Sequence, residues 1–237
     1  MKSFTIFDVG DFNFDEFPRG ERKIFSSNPQ QVLGKDMDDI AKTSIEYIGE
    51  EFIKESKYNL EYSFKKFEVT HEIKRKINGR YLDKEFDHIL EKKNLIFWID
   101  KDKGIAVSSG NSKACREAIK RSSIPLSEKN IDLQKLKDAI CNNRAAGIIG
   151  AMFRNLSMKN IDSAIIYGHE IDESEEYEKY NSFGSISALL ISIEDIEETI
   201  RIGKNWNLLL YSNFSNDVEY LKRLLIHKRW IEKLLAV

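Results

Sequence analysis

The sequence predicts an α+β fold, mainly antiparallel sheet with interspersed amphipathic helices and a C-terminal helix. Three observations predict it. Two runs of strand formers, "NLIFWID" and "IAVSSG", flank the short charged connection "KDKG" and read as a hairpin, with Gly104 supplying the positive φ of the turn. Three further apolar runs, "SAIIYGHEI", "SISALLISIE" and "NWNLLLYS", crowd the last third of the chain. Val218, Leu221, Leu225, Ile231, Leu234 and Leu235 then fall on one helical face behind Asn216 and Asp217, either of which suits an N-cap. Strands joined mostly by hairpins, with helices between them, give an α+β architecture.

Taken in order, the first thirty residues are aromatic and short-patterned and read as edge strands joined by turns. From Asp36 the spacing of Met37, Ile40, Ala41, Ile45, Ile48 and Phe52 predicts an amphipathic helix, with Asp36, Asp38 and Asp39 in its first turn. "YNLEYSFKKFEVTHEI" alternates. Its apolar series changes phase at Lys65-Lys66, which predicts one long strand with a bulge or two shorter strands. "LDKEFDHILEKK" reads as a short helix burying Leu82, Phe86, Ile89 and Leu90. Behind the hairpin, Ala114, Ala118 and Ile119 mark one helix. Leu133, Leu136 and Ile140 mark another, with Asn130 or Asp132 as its cap. "DESEEYEKYNS" reads as an acidic loop and "EDIEETIRIG" as helix-like. The division expected is an N-terminal half, 1–125, with a basic hairpin-helix unit, and a C-terminal half, 126–237, or else one continuous domain.

The chain has 237 residues, 41% apolar and 32% charged, with only 12 Gly and 3 Pro, so it is globular material without a flexible linker. The amino terminus lacks the pattern of a secretory signal, and no apolar run approaches the roughly 18 residues of a membrane helix. Cys115 and Cys141 stand singly, which fits a reducing cytoplasm better than a disulfide framework. No membrane partner and no cofactor are expected.

Charge is distributed unevenly. Residues 57–160 hold 22 basic and 13 acidic side chains, whereas 1–56 and 161–237 are both acidic, so a local positive field is hidden within a net charge of −2. Two clusters carry it. Lys74, Arg75, Lys76 and Arg80 surround Asn78-Gly79, and if that pair is a tight turn they project from a loop tip. Ser112, Lys113, Arg116, Lys120 and Arg121 follow "SSGN" at the start of a helix, where free amide groups and basic side chains suit a phosphate. Helix capping alone also accounts for Ser, Asn and Gly there, and Ser112 stands where a Walker loop needs Gly. Phe97 and Trp98 lie on opposite strand faces, so that one is a stacking platform for a base while the other is core, or both are core.

Catalytic constellations are mostly empty. His71-Glu72 and His169-Glu170 lack the second His of a zincin, and "DKDKG" fails the calcium-loop spacing. Glu55-Ser56-Lys57 resembles the acid-x-lysine part of a nuclease site without its partner Asp. His169 with the acidic residues 170–178 is the remaining candidate for a divalent cation, against a solvated loop. The sequence therefore favours a non-enzymatic protein contacting DNA or RNA through its basic middle. The alternatives are an assembly or adaptor component, with a protein partner or a homo-oligomer, and a metal-dependent nuclease or phosphodiesterase.

Overall fold

A computed structural model describes residues 1–26, 40–81, 84–143 and 146–236, with the side chains of 81, 84–86, 143 and 195 left aside. It is a mixed α+β protein in which antiparallel sheet dominates, at 51% strand against 28% helix among the described residues. The chain divides into two compact units, one of Met1–Ile6, Ile53–Glu61 and Glu128–Val237, the other of Phe7–Phe52 and Tyr62–Ser127.

The second unit contains β2 (Arg22–Ser26), most of β3 (Lys42–Glu55) and β4 (Leu60–Tyr81), then β5 (Lys84–Asp100), β6 (Ile105–Ser109) and α1 (Ser112–Ser122). Its strands neighbour one another in the order β2-β3-β4-β5-β6. One face is closed by α1, whose Ala114, Cys115, Ala118 and Ile119 meet Phe67, Val69, Leu95 and Phe97. Phe67 is the centre of this core, with the rings of Phe12, Phe14, Phe17 and Tyr47 all within 6.2 Å of it. The β5–β6 hairpin forms as expected, Gly104 turning at φ +63°. Asp100 is buried at its corner and accepts from Lys103 N (2.9 Å) and Ser63 N (2.8 Å), so its carboxylate is occupied by the backbone.

Two expected helices are strands. Residues 42–55 form β3, of which Lys42–Glu46 pair with β2, and the buried series is Thr43, Ile45 and Ile53 at even intervals, while Ile48 and Phe52 of the helical pattern are exposed. Asp36, Met37, Asp38 and Asp39 lie outside the described residues. Lys84 onward pairs with β4 as β5, which leaves Ile89 exposed; Leu82 lies outside the described residues. In both cases a neighbouring strand supplies hydrogen bonds that override a local apolar spacing. The phase change at Lys65-Lys66 is real but is no bulge, because the register with β5 runs unbroken from Lys65↔Ile99 to Lys76↔His88. What changes is the covered face: Leu60 and Phe64 are buried on one side, Phe67, Val69 and His71 on the other. Within β1 (Lys2–Val9), Phe4 to Phe7 are buried without alternation, so this strand is covered on both faces and lacks the half-exposed pattern of an edge.

The first unit is built on β8 (Ala146–Met158), β9 (Ile161–Tyr167), β10 (Ser185–Ile193), β11 (Glu198–Gly203) and β12 (Asn207–Leu210), in the order β12-β11-β10-β8-β9, with Lys2–Thr5 of β1 paired to β12. Helix α2 (Leu133–Asn143) packs on β8, β10 and α4 (Asp217–Leu235), and α3 (Glu175–Phe183) packs on β8 and β10. Asp132 caps α2 and Asn216 caps α4, as their sequences predict. The expected acidic loop is instead α3. Ser174 accepts from Tyr177 N, Glu175, Glu176 and Glu178 fill the first turn, and Tyr177 is wholly buried against Phe153. "ETIRIG" is β11, alternating buried Ile200 and Ile202 with half-exposed neighbours.

Candidate nucleic-acid interface

Beyond Ile73 and Leu95, β4 and β5 leave the core and, among the described residues, continue as a two-stranded ribbon. Lys74, Arg75, Lys76, Ile77, Asn78 and Arg80 are all exposed on one strand, as are Asp87, Ile89 and Lys92 on the other. The chain does not reverse at Asn78-Gly79. β4 runs through that pair to Tyr81, and Tyr81↔Lys84 is the last pair before the reversal. Asn78-Gly79 belongs to a β-bulge: three steps from Lys76 to Gly79 oppose two from His88 to Phe86. The four basic residues therefore stand on a strand arm and not on a loop tip.

The bulge decides which of them share a face. Partners across an antiparallel pair lie on the same side, so Lys74, Lys76 and Lys92 form one face with Leu90, His88 and Glu72. Simple alternation would add Arg80 to that set. The extra residue moves it to the other face, with Arg75, Ile89, Asp87 and Glu91. The second face is largely neutralised: Arg75 Nε lies 2.7 Å from Glu91, which also pairs with Lys93, and these contacts hold the Glu91 carboxyl below its usual range. On the first face, Lys92 approaches Glu72 at 3.9 Å, while Lys74 and Lys76 have no ion-pair partner among the described residues. Between Glu72 and Lys93 the sequence has seven basic and five acidic residues, so the ribbon's net charge is small and its faces differ more than its total.

Helix α1 lies over the Arg75 side of the sheet, since it covers Phe67 and Val69 and its Glu117 reaches His71 Nε2 at 3.6 Å. Its basic residues are thus on the opposite face from Lys74 and Lys76. At its start, Asn111 Oδ1 accepts from Lys113 N (3.0 Å) and Ala114 N (3.1 Å), so two of the amide groups that a phosphate would need are already bonded. Ser112 and Arg116 are half-buried; Lys113 is exposed with Glu117 at 3.9 Å, and Lys120 is exposed. Arg121 fastens the helix end to the root of the ribbon. Its Nη1 has Glu72 O at 2.9 Å, Lys42 O at 3.1 Å, Thr43 Oγ1 at 3.3 Å and His71 Nδ1 at 3.4 Å. The two hydrogens serve the two nearest acceptors, the carbonyls, and Thr43 Oγ1 is left to hydrogen-bond with His71 Nδ1 at 2.8 Å.

Neither aromatic candidate is a platform. Trp98 is 0% and Phe97 2% exposed, because the sheet is covered on both faces where they sit. Lys92 was missed by sequence reasoning, since the segment reads as helix. Among the described residues no three His, Cys, Asp or Glu side chains come together as a metal site. In the acidic segment, Asp172 instead accepts from Cys141 Sγ at 2.9 Å. Glu55 is ion-paired with Lys222 beside a cavity of about 610 Å³ that Lys57 also lines. No protein-family model matches the chain, and no curated protein matches it in sequence.

Proposed function

We propose that the protein binds duplex DNA without catalysis, inserting the outer part of the β4–β5 ribbon into a groove. The observation that carries this reading is a solvent-exposed two-stranded ribbon with basic side chains on both faces. A groove presents phosphates on two walls, and the DNA major groove, about 12 Å wide, admits a two-stranded ribbon. Lys74, Lys76 and Lys92 serve one wall, and Arg75 and Arg80 serve the other. The major groove of an RNA duplex is too deep and narrow for such an arm, which favours DNA over RNA. Base stacking is not part of the reading, since Phe97 and Trp98 are inside. On α1, Lys113, Arg116 and Lys120 are secondary contacts, Arg121 acts in the fold, and the half-buried Ser112 is left out of the reading.

Fluorescence polarisation with labelled duplex DNA, duplex RNA and single-stranded DNA tests the proposal. Duplex DNA should bind most tightly, and Lys74→Ala/Lys76→Ala should lose more affinity than Arg75→Ala, whose parent side chain is already paired. Equal losses from the two variants, or no preference for duplex DNA, would overturn the groove reading.

A further inference from the structure

The last strand in the sheet order, β9, has β8 on one side and, among the described residues, no strand on the other. Its outer row of backbone donors and acceptors is a template for another strand, and edges of this kind are ordinarily blunted by Lys, Pro or a bulge. In the other unit, β2 is blunted: Arg22 pairs with Glu46 and Lys23 with Glu16. β9 reads "IDSAIIY", with Asp162 its only charge and no Lys or Pro, and the irregularity in its pairing lies on β8, between Arg154 and Met158. Ile161, Ile165 and Tyr167 are 37%, 51% and 70% exposed. The Tyr167 ring lies across Gly150, where an added Cβ would come within 2.9 Å of it, and extends the strand's apolar face over β8.

We propose that β9 pairs antiparallel with β9 of a second copy, giving a reversible two-fold dimer independent of nucleic-acid binding. The strand's own sequence selects this occupant. Two-fold antiparallel pairing must centre on a residue, because facing residues need the same hydrogen-bonding parity. Centring on Ala164 uses all seven residues. Ile161 then faces Tyr167, Asp162 faces Ile166 and Ser163 faces Ile165, so no like charges are opposed. Just outside the strand, exposed Lys159 comes opposite His169, one residue from exposed Glu170, so the pairing brings Lys159 of each copy close to Glu170 of the other. Seven residues a side make a small interface, hence a weak dimer.

Sedimentation velocity without nucleic acid, over about 1 to 100 µM, the range expected for so small an interface, reads the outcome. The average mass should rise from 27.6 kDa toward twice that value. Ile165→Lys, at an exposed position, should keep the protein monomeric with an unchanged circular dichroism spectrum. Lys159→Glu should weaken association by roughly tenfold, and adding Glu170→Lys should restore it, which a folding defect would not do. A mass fixed at 27.6 kDa at the highest concentration, or a dimer indifferent to Ile165→Lys, overturns the proposal.

Discussion

Replacing Arg121 by Ala removes the donor held between two strands and the end of α1. The carbonyls of Glu72 and Lys42 each lose a charged partner, at 2.9 and 3.1 Å. Hydrogen bonds to charged groups contribute about 1.5–3 kcal/mol each. The site is only partly buried, so water takes over one of the two, and the net loss should be about 2–3 kcal/mol. Urea unfolding measures the total, and native-state hydrogen exchange at the amides of residues 69–73 locates it at the root of the ribbon. Lys120→Ala, one residue away and exposed, should change stability by less than about 0.5 kcal/mol. If Arg121→Ala were as mild as Lys120→Ala, or lowered DNA affinity with stability intact, Arg121 would be a contact residue and its assignment to the fold would be refuted.

Other outcomes follow from the same physical chemistry. Burial, and then the Arg121 guanidinium, hold His71 below its ordinary pKa of 6.5, against the opposing pull of Glu117 and Glu72. The unfolded chain thus binds a proton that the fold rejects, so the contribution of His71 is intact above pH 6.5 and lost as pH falls below it; unfolding midpoints at about pH 7.5 and about pH 5.5 should differ less in His71→Gln. Partial burial of its sulfur, and then the Asp172 carboxylate, push the Cys141 thiol up to about 11, so alkylation at neutral pH should be slow and Asp172→Asn should speed it. Asn111→Ala removes the acceptor of two amides at the start of α1 and should cost about 0.5–2 kcal/mol in thermal or urea unfolding.

Elements with their own punctuation were legible in the sequence. The β5–β6 hairpin carried Gly104 in its turn, and α2 and α4 carried Asp132 and Asn216 at their caps. Where apolar residues satisfied two periods at once, the sequence misled. Ile45, Ile48 and Phe52 fit a helix, yet only Ile45 is buried and the strand is held by β2. The ribbon was harder still, because it has no core face: its apolar Ile77 and Ile89 are exposed, so burial patterns do not mark it. Asn-Gly is a signal for a turn and equally for a bulge, and only the pairing partner decides. The basic cluster at Lys74 to Arg80 was visible as composition. That it splits between two faces, with α1 on the Arg75 side, depends on one inserted residue and on acceptors at 42 and 72 that lie far from Arg121 in sequence. The acidic stretch after Ser174 reads as a loop because its charges outweigh Tyr177, the residue that anchors α3.

The most direct measurement is the slope of log affinity for duplex DNA against log salt, in the wild type and in Lys74→Ala/Lys76→Ala. Each phosphate neutralised on duplex DNA contributes about −0.9 to the slope, so loss of Lys74 and Lys76 should make the slope shallower by about 1.8. Absence of binding at 50 mM salt, or the same slope in both proteins, would contradict a DNA-contacting ribbon.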